Sequence, residues 1–510
     1  MTIHLAVLVA LPLVGAALAL VAGRLGGLLG AAATLAYAIF ALVEFDSAAA
    51  GLQFVTNERW IDLLGINFKL GLDGLNLFLV LLTAVTWVAV TLWAALGRWG
   101  TDRGRTFFFH LGLAETAVLG ALLAQDLALF VAFFDLMLVP FIFLTLGWGG
   151  ERRGPAITKL IIYTLVGSLL MLTAAVATGV LAANRSGGQL TFELSELART
   201  RLSEDDQRWV FLFFAAAFLV KMPAFPLHGW LTDGYRNMPL PALAVFSGVL
   251  SKVAAYGFLR IVLPLFPDAT VQFQELMLLI ALASILYGSV VAFTTTDARL
   301  VLGYSSIAQL GFITLGIFAL RDAGAQGAVL QSVNHGLVVV PAFFIVGALA
   351  ERAGGSEDLR AMGGIALRAP LLAAMFLIVA FATLAMPGSS NFVGEFLILL
   401  GVFQSKLAFA LVASAGVVLA SVYALRLFIR AMHNRRNEGA ATYDLRVTDG
   451  LVVVPLVTVI IALALYPQLA LERGQATVRA IVAPLEERTG GPAGEVVVGL
   501  ERFDEEEPGG

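Results

Sequence analysis

Fourteen stretches of this chain are apolar for long enough to cross a bilayer, at approximately 3–22, 28–45, 74–97, 106–124, 127–147, 156–182, 208–230, 240–263, 273–294, 299–320, 326–350, 368–403, 407–431 and 450–471. In hydrocarbon every backbone N–H and C=O must be satisfied within the structure, and runs of this length do so as α-helices. The expected fold is an all-α polytopic membrane protein of about 14 transmembrane helices, numbered 1 to 14 in that order. Composition agrees: 13% of residues are charged, against about 25% in soluble domains. Residues 5–22 follow no lysine or arginine and precede Arg24, which fits a retained first helix better than a signal peptide.

The absence of cysteine excludes disulfides, thiolate-ligated iron–sulfur clusters and cysteine nucleophiles, and five scattered histidines form no haem-attachment motif. No cofactor, metal or redox centre is expected in this chain. Between helices 2 and 3, Ile66, Phe68 and Leu70 alternate with polar residues within Trp60 to Gly71, predicting a strand or hairpin outside the lipid. The acidic run Phe503-Asp504-Glu505-Glu506-Glu507 behind Gly490-Gly491-Pro492 predicts a solvated, disordered tail. Arginines follow helix 3 (Arg98, Arg103, Arg105), helix 5 (Arg152, Arg153) and helix 13 (Arg430, Arg435, Arg436), whereas the turns Gln125-Asp126 and Pro267-Asp268 carry none. Positive residues in short loops stay cytoplasmic, so both termini are expected on the non-cytoplasmic side.

Two helices are interrupted. Helix 7 carries Lys221 and then meets Pro223 and Pro226, so it loses backbone hydrogen bonds where it holds a charge. Trp209 to Lys221 is already ~18 Å of helix, too deep for easy snorkelling. A cation at that depth costs roughly 2.5–3.5 kcal/mol on insertion scales, which makes Lys221 a functional candidate rather than a static ion pair. Val220-Lys221-Met222-Pro223 is echoed by Leu384-Ala385-Met386-Pro387 in helix 12, five helices later. That odd offset predicts two inverted five-helix repeats, helices 4–8 and 9–13, with discontinuous helices 7 and 12, the architecture that places transporter ion sites at the midplane. The resulting organisation is 1–105 for helices 1–3 with the extramembrane hairpin, 106–263 for the first repeat, 273–431 for the second, 450–471 for the C-terminal helix and 485–510 for the acidic tail.

Polar groups near mid-span are Glu115, Asp135, Lys221, Lys252, Gln309, His335 and Glu395. They form a line across the membrane plane along which protons can pass through water. Lysine suits this because, unlike arginine, it can release its proton when buried. Asp135 is a natural ion-pair partner for Lys221, and Glu115, at similar depth across the Gln125-Asp126 turn, is placed either as a backup to Asp135 or as a helix-packing group. His335 is either a relay group or a structural histidine, and His228 either a relay member or a cap on the broken helix. Gln309 does not titrate and can only orient water or neighbours, while Ser305, Ser306 and Asn334 read as packing groups.

At Gly71-Leu72-Asp73-Gly74, Leu138-Val139-Pro140, Lys221-Met222-Pro223, Pro226-Leu227-His228-Gly229-Trp230, Met386-Pro387 and Asn391-Phe392-Val393-Gly394-Glu395-Phe396 the sequence resembles the antiporter-like membrane subunits of respiratory complex I, NADH-quinone oxidoreductase. The resemblance covers nearly the whole chain. It implies a proton path through Asp135, Lys221, Lys252, His335 and Glu395, driven by quinone reduction in other subunits, in a multi-pass protein of the bacterial inner membrane. The partners implied are the lipid bilayer and the other membrane subunits of complex I, including neighbouring antiporter-like subunits, with no nucleic acid. Two positions depart from the family pattern: Asp135 stands where glutamate is usual and Gln309 where histidine is usual. After the broken helix, Asp233-Gly234-Tyr235 replaces the usual Asp-Ala-His. The alternative is a cation/proton antiporter subunit of a multisubunit sodium/proton antiporter or a membrane-bound hydrogenase-type complex, which would share the fold and the lysines.

Overall fold

The computed structural model describes residues 3–49, 51–97, 104–433, 441 and 443–490. Arg98, Arg103, Arg435, Arg436 and the acidic run at 503–507 lie outside the described residues. In chain order the helices are α1 (Leu5–Ala22), α2 (Arg24–Val43), α3 (Leu77–Leu96), α4 (Gly104–Leu123), α5 (Leu127–Leu136), α6 (Leu138–Trp148), α7 (Arg153–Ser186), α8 (Leu194–Arg199), α9 (Glu204–Lys221), α10 (Leu231–Asn237), α11 (Leu240–Val245), α12 (Ser251–Gly257), α13 (Leu263–Leu265), α14 (Pro267–Gln272), α15 (Gln274–Thr294), α16 (Ala298–Phe318), α17 (Asp322–Arg352), α18 (Pro370–Thr383), α19 (Ser390–Ser405), α20 (Leu407–Met432), α21 (Val447–Leu465) and α22 (Gln468–Arg488). Among the described residues, 12 continuous helical stretches are long and apolar enough to cross a membrane, α5–α6 and α11–α13 each counting once. The predicted helices 7 and 12 are the broken ones. They correspond to α9, which opens on Glu204, Asp205 and Asp206, and to the short pair α18 and α19.

Burial grades from the centre outward. In their most apolar 18 residues, Leu240–Leu265 and Ala298–Phe318 are 100% buried and α17 is 94% buried, whereas α2, α7, α20 and α21 are 33% buried. The core therefore lies along α11–α13, α16 and α17, and the outer helices turn apolar side chains outward. On α7 the exposed face is Ile162, Leu165, Val166, Leu169, Leu172, Val176 and Val180, a helical stripe suited to lipid. Small residues let backbones approach: a Cβ on Gly15 would stand 2.5 Å from the Gly30 Cα, and one on Gly401 2.3 Å from the Gly324 amide nitrogen.

The hairpin consists of β1 (Gln53–Ile61) and β2 (Ile66–Leu72), antiparallel, with Thr56 opposite Leu70 and Glu58 opposite Phe68. It starts earlier than the alternation at 66–70 reveals. The Asn67 N–H donates to Asp126 Oδ2 at 3.0 Å, and Lys69 pairs with Glu193. Burial works to raise the Glu193 carboxyl, but hydrogen bonds from Lys69 and Ser195 and the charges of Lys69 and Arg199 hold it below its ordinary value.

Four helices were not anticipated. Three are short: α8, inside the polar 183–207 loop, and α10 and α14, in the connections before 240 and before 273. The fourth, α22, follows α21 and runs to Arg488, so the tail placed at 485–510 begins within it. Its buried positions Ala470, Gly474, Thr477, Val478, Val482 and Leu485 recur at helical spacing amid charged residues, an amphipathic pattern hidden from a search for membrane-length apolar runs. Asp268 ties this helix down, accepting from Arg488 Nη1 at 2.7 Å, Arg201 Nη2 at 3.2 Å and Gln207 Nε2 at 2.8 Å.

Candidate functional site

Lys221 is the last residue of α9, and it is 8% exposed. Pro223 has no N–H to continue the ladder, and the freed carbonyls find other donors. The Leu219 carbonyl accepts from the Ala224 N–H at 2.9 Å, and the Val220 carbonyl accepts from the Trp230 indole N–H at 3.0 Å. The loop after the break is held by Ser284 Oγ, which accepts from the Phe225 N–H at 3.0 Å.

The fifth predicted helix, 127–147, is one span with αR backbone throughout, but its hydrogen-bond ladder is interrupted at Met137, between α5 and α6, because Pro140 cannot donate to the Leu136 carbonyl. The interruption lies beside Lys221, whose Nζ donates to the Phe134 carbonyl at 2.8 Å and sits 4.1 Å from the centre of the Phe134 ring. The ammonium is thus met by a carbonyl near the C-terminal end of α5, where the peptide dipoles are negative. Asp135 is half-buried and accepts from Ser168 Oγ at 2.5 Å. It is within electrostatic reach of Lys221 but makes no direct ion pair with it.

Lys252 lies on α12 between two π-helical turns, Phe246–Leu250 and Phe258–Val262. Such turns recur at functional sites. Its Nζ donates to the Ser247 carbonyl in the first of these turns at 2.7 Å, and to Ser251 Oγ at 3.3 Å. His335 on α17 is 3% exposed and close enough to feel the Lys252 charge, and its Nδ1 has no hydrogen-bond partner.

One turn before His335 on the same helix, Gln331 Nε2 donates to Gln309 Oε1 at 2.7 Å and reaches Glu395 Oε1 at 3.4 Å. Gln309 Nε2 donates to Glu395 Oε1 at 2.8 Å. The Glu395 carboxylate, 2% exposed, is therefore held by two neutral amides, and its Oε2 is unpartnered. Around it gather other buried polar atoms without partners: Gln331 Oε1, Asn334 Oδ1, both amide atoms of Asn391, Ser390 Oγ and the Tyr423 hydroxyl. Asn334 Nδ2 ties α17 to the start of α19, donating to the Ser390 carbonyl at 2.6 Å. The break before α19 places Ala385 at φ +52° and Gly388 at φ +91°.

The structure thus joins Gln331, Gln309 and Glu395 by hydrogen bonds, places His335 one turn along α17 from Gln331 and near Lys252, and sets Lys221 and Asp135 together at the first break. His228 stands apart from both: its Nε2 meets the Tyr287 hydroxyl at 3.1 Å, and its side chain caps no helix. Glu115 is 1% exposed, its Oε1 has no partner, and no hydrogen bond or ion pair joins it to Asp135 or Lys221. Sequence reasoning passed over Gln331, Tyr423 and Ser168. Gln331 carried a signal, four residues before His335 on one helical face, whereas Tyr423 and Ser168 carried none.

Interrupted helices around buried ionisable groups at mid-span define a membrane subunit of the ion-translocating, antiporter-like class. Residues 124–421 match the family described as NADH:quinone oxidoreductase/Mrp antiporter, TM, and the chain belongs to it. NADH-quinone oxidoreductase subunit M of Pseudomonas aeruginosa is 36% identical over 438 residues, covering 84% of each chain. A chain of respiratory complex I from Thermus thermophilus with bound NADH superposes with a TM-score of 0.87 at 31% identity, covering 94% of this chain and 99% of that one. A chain of the Mrp complex from a Dietzia species, with a TM-score of 0.83 and 21% identity over 94% of this chain and 97% of that one, shares the fold.

Proposed function

We propose that this chain is the M-type subunit of a bacterial NADH-quinone oxidoreductase and moves protons across the inner membrane, while electron transfer to quinone takes place in other subunits. The observation that carries this reading is the Glu395 carboxylate, buried at mid-span and held only by the amides of Gln309 and Gln331, with His335 one turn along α17 from Gln331 and Lys252 near His335. A buried carboxylate paired to a cation is locked in its charged form, whereas one held by neutral amides can accept and release a proton. At the first break Lys221 is similarly held by a carbonyl, with Asp135 near enough to bias it. The relay is Asp135, Lys221, Lys252, His335 and Glu395, with Gln309 and Gln331 orienting its far end. In this reading the two halves are inverted repeats, the arginine-bearing loops face the cytoplasm and both termini face the other side.

The relatives' naming supports the quinone oxidoreductase over a sodium/proton antiporter. The test is NADH-driven acidification by vesicles reconstituted with the assembled complex carrying Glu395→Gln. A several-fold loss of pumping at equal assembly is expected. Parent-level pumping would overturn the relay.

A further inference from the structure

A small cavity, lined by Tyr423 though not by Glu395 itself, opens between α16, α17, α18 and α20. Its volume is about 10 Å³, and its lining includes Leu302, Ser305, Ala380, Thr383, Tyr423 and Leu427. That is room for about one water molecule, provided polar partners exist to hold it. Three hydroxyls line it. Ser305 Oγ donates to the Leu302 carbonyl at 2.9 Å and Thr383 Oγ1 to the Val379 carbonyl at 2.8 Å, so both keep lone pairs free to accept. The Tyr423 hydroxyl is 1% exposed, has Gln309 and Glu395 as polar neighbours and makes no well-formed hydrogen bond to either.

We propose that this cavity is a water site giving Glu395 a second connection, toward the membrane side that carries Arg299 and Arg426, with the Tyr423 hydroxyl as the step between water and carboxylate. The proposal rests on the relay reading for the role of Glu395 itself. The direction follows from the lining. Leu302 and Ser305 come from the first third of α16, whose preceding turn holds Asp297, and Leu427 adjoins Arg426, whose guanidinium donates to the Thr295 carbonyl at 2.8 Å. A water there donates to Ser305 and Thr383 and accepts from Tyr423, which satisfies all four groups. A proton reaching that water passes on once the Tyr423 hydroxyl has turned its hydrogen from the water toward Glu395: the protonated water gives one proton to the Tyr423 oxygen while Tyr423 gives its own to Glu395, so that water and tyrosine each end as they began.

The experiment compares Tyr423→Phe, Ala380→Leu and Glu395→Gln in the complete complex, reconstituted in vesicles at equal assembly. Tyr423→Phe removes only the unpartnered oxygen, and Ala380→Leu fills the cavity while leaving that oxygen in place. Both are expected to lower NADH-driven pumping several-fold, and Tyr423→Phe to reduce the D₂O isotope effect on pumping, a readout that a packing role for the ring would not move. Should Tyr423→Phe not assemble, Ala380→Leu decides, and its parent-level pumping overturns the proposal. Parent-level pumping by Tyr423→Phe together with a loss in Glu395→Gln also overturns it and leaves the relay standing. Parent-level pumping by all three would sink the relay reading.

Discussion

The two interrupted helices hold charges of opposite sign, and neighbouring helices supply the partners that each charge requires. At the first, the chain ends a helix on Lys221, and the Phe134 carbonyl near the C-terminal end of α5 meets a group that can only donate. At the second, the charge follows the break: Glu395 lies on α19, and amide NH₂ groups from α16 and α17 serve a group that accepts. The first break is also closed, its carbonyls taken by Trp230 and Ala224 and its backbone free of positive φ. The second has a left-handed alanine, a strain of about 1–2 kcal/mol, and several buried polar atoms without partners. One break is a finished scaffold around a cation. The other keeps unspent hydrogen-bonding capacity around a carboxylate, which is where water and proton exchange are easiest.

The comparison breaks most visibly at the lysine. Lys221→Ala and Lys221→Arg are both expected to abolish most coupled pumping while the complex assembles, the first by removing the titrating group and the second by fixing its proton. Acidification by reconstituted vesicles measures it, and near-normal pumping by either variant would mean that the first break holds a purely structural cation. Next in size, Glu395→Gln should slow pumping several-fold and Glu395→Asp should keep part of it, because the shorter carboxylate still faces Gln309. Equal loss in both would assign the site to geometry rather than to proton exchange.

Asp135 sharpens the first site further. Asp135→Asn should leave partial pumping, since Lys221 keeps the Phe134 carbonyl, and Glu115→Gln should do little. Lacking contact, the two losses should add in the double variant. A loss much greater than the sum would show that Glu115 shares the lysine after all. The smallest effect is on the scaffold: Trp230→Phe leaves the Val220 carbonyl unpaired, at a cost of about 1–3 kcal/mol. Thermal inactivation of the assembled complex reads this, and an unchanged midpoint would mean that another donor closes the break.

Much of this was legible in the sequence because lipid imposes a simple rule. Runs of twenty apolar residues must be helices, prolines within them must break them, and lysines at depth must be held for a reason. Pro140 obeyed the same rule, yet the interruption it makes in the hydrogen-bond ladder beside Asp135 was passed over because the apolar run does not falter there. Other features depend on tertiary contact alone. Lys221 met a carbonyl rather than the expected carboxylate, since which atom a buried ammonium reaches is decided by backbone geometry. The departure at Gln309 makes sense once Gln331 is seen to share its load: two amides chained to one carboxylate orient it without competing for its proton.

The π-helical turns on either side of Lys252 carry one further consequence. Each is equivalent to one extra residue in an α-helix, which turns everything after it by about 100°. The seven residues of α12 therefore keep their own angular phase, offset from α11 before and from α13 after. In a stretch buried at every position but Arg260 and Pro264 no apolar stripe betrays the offset, so a helical wheel drawn through Leu240–Leu265 aims Lys252 in the wrong direction. Deleting Val249 would let the first turn relax to ordinary helix and swing the lysine away from His335, changing where a charge points while leaving every ionisable residue in the chain.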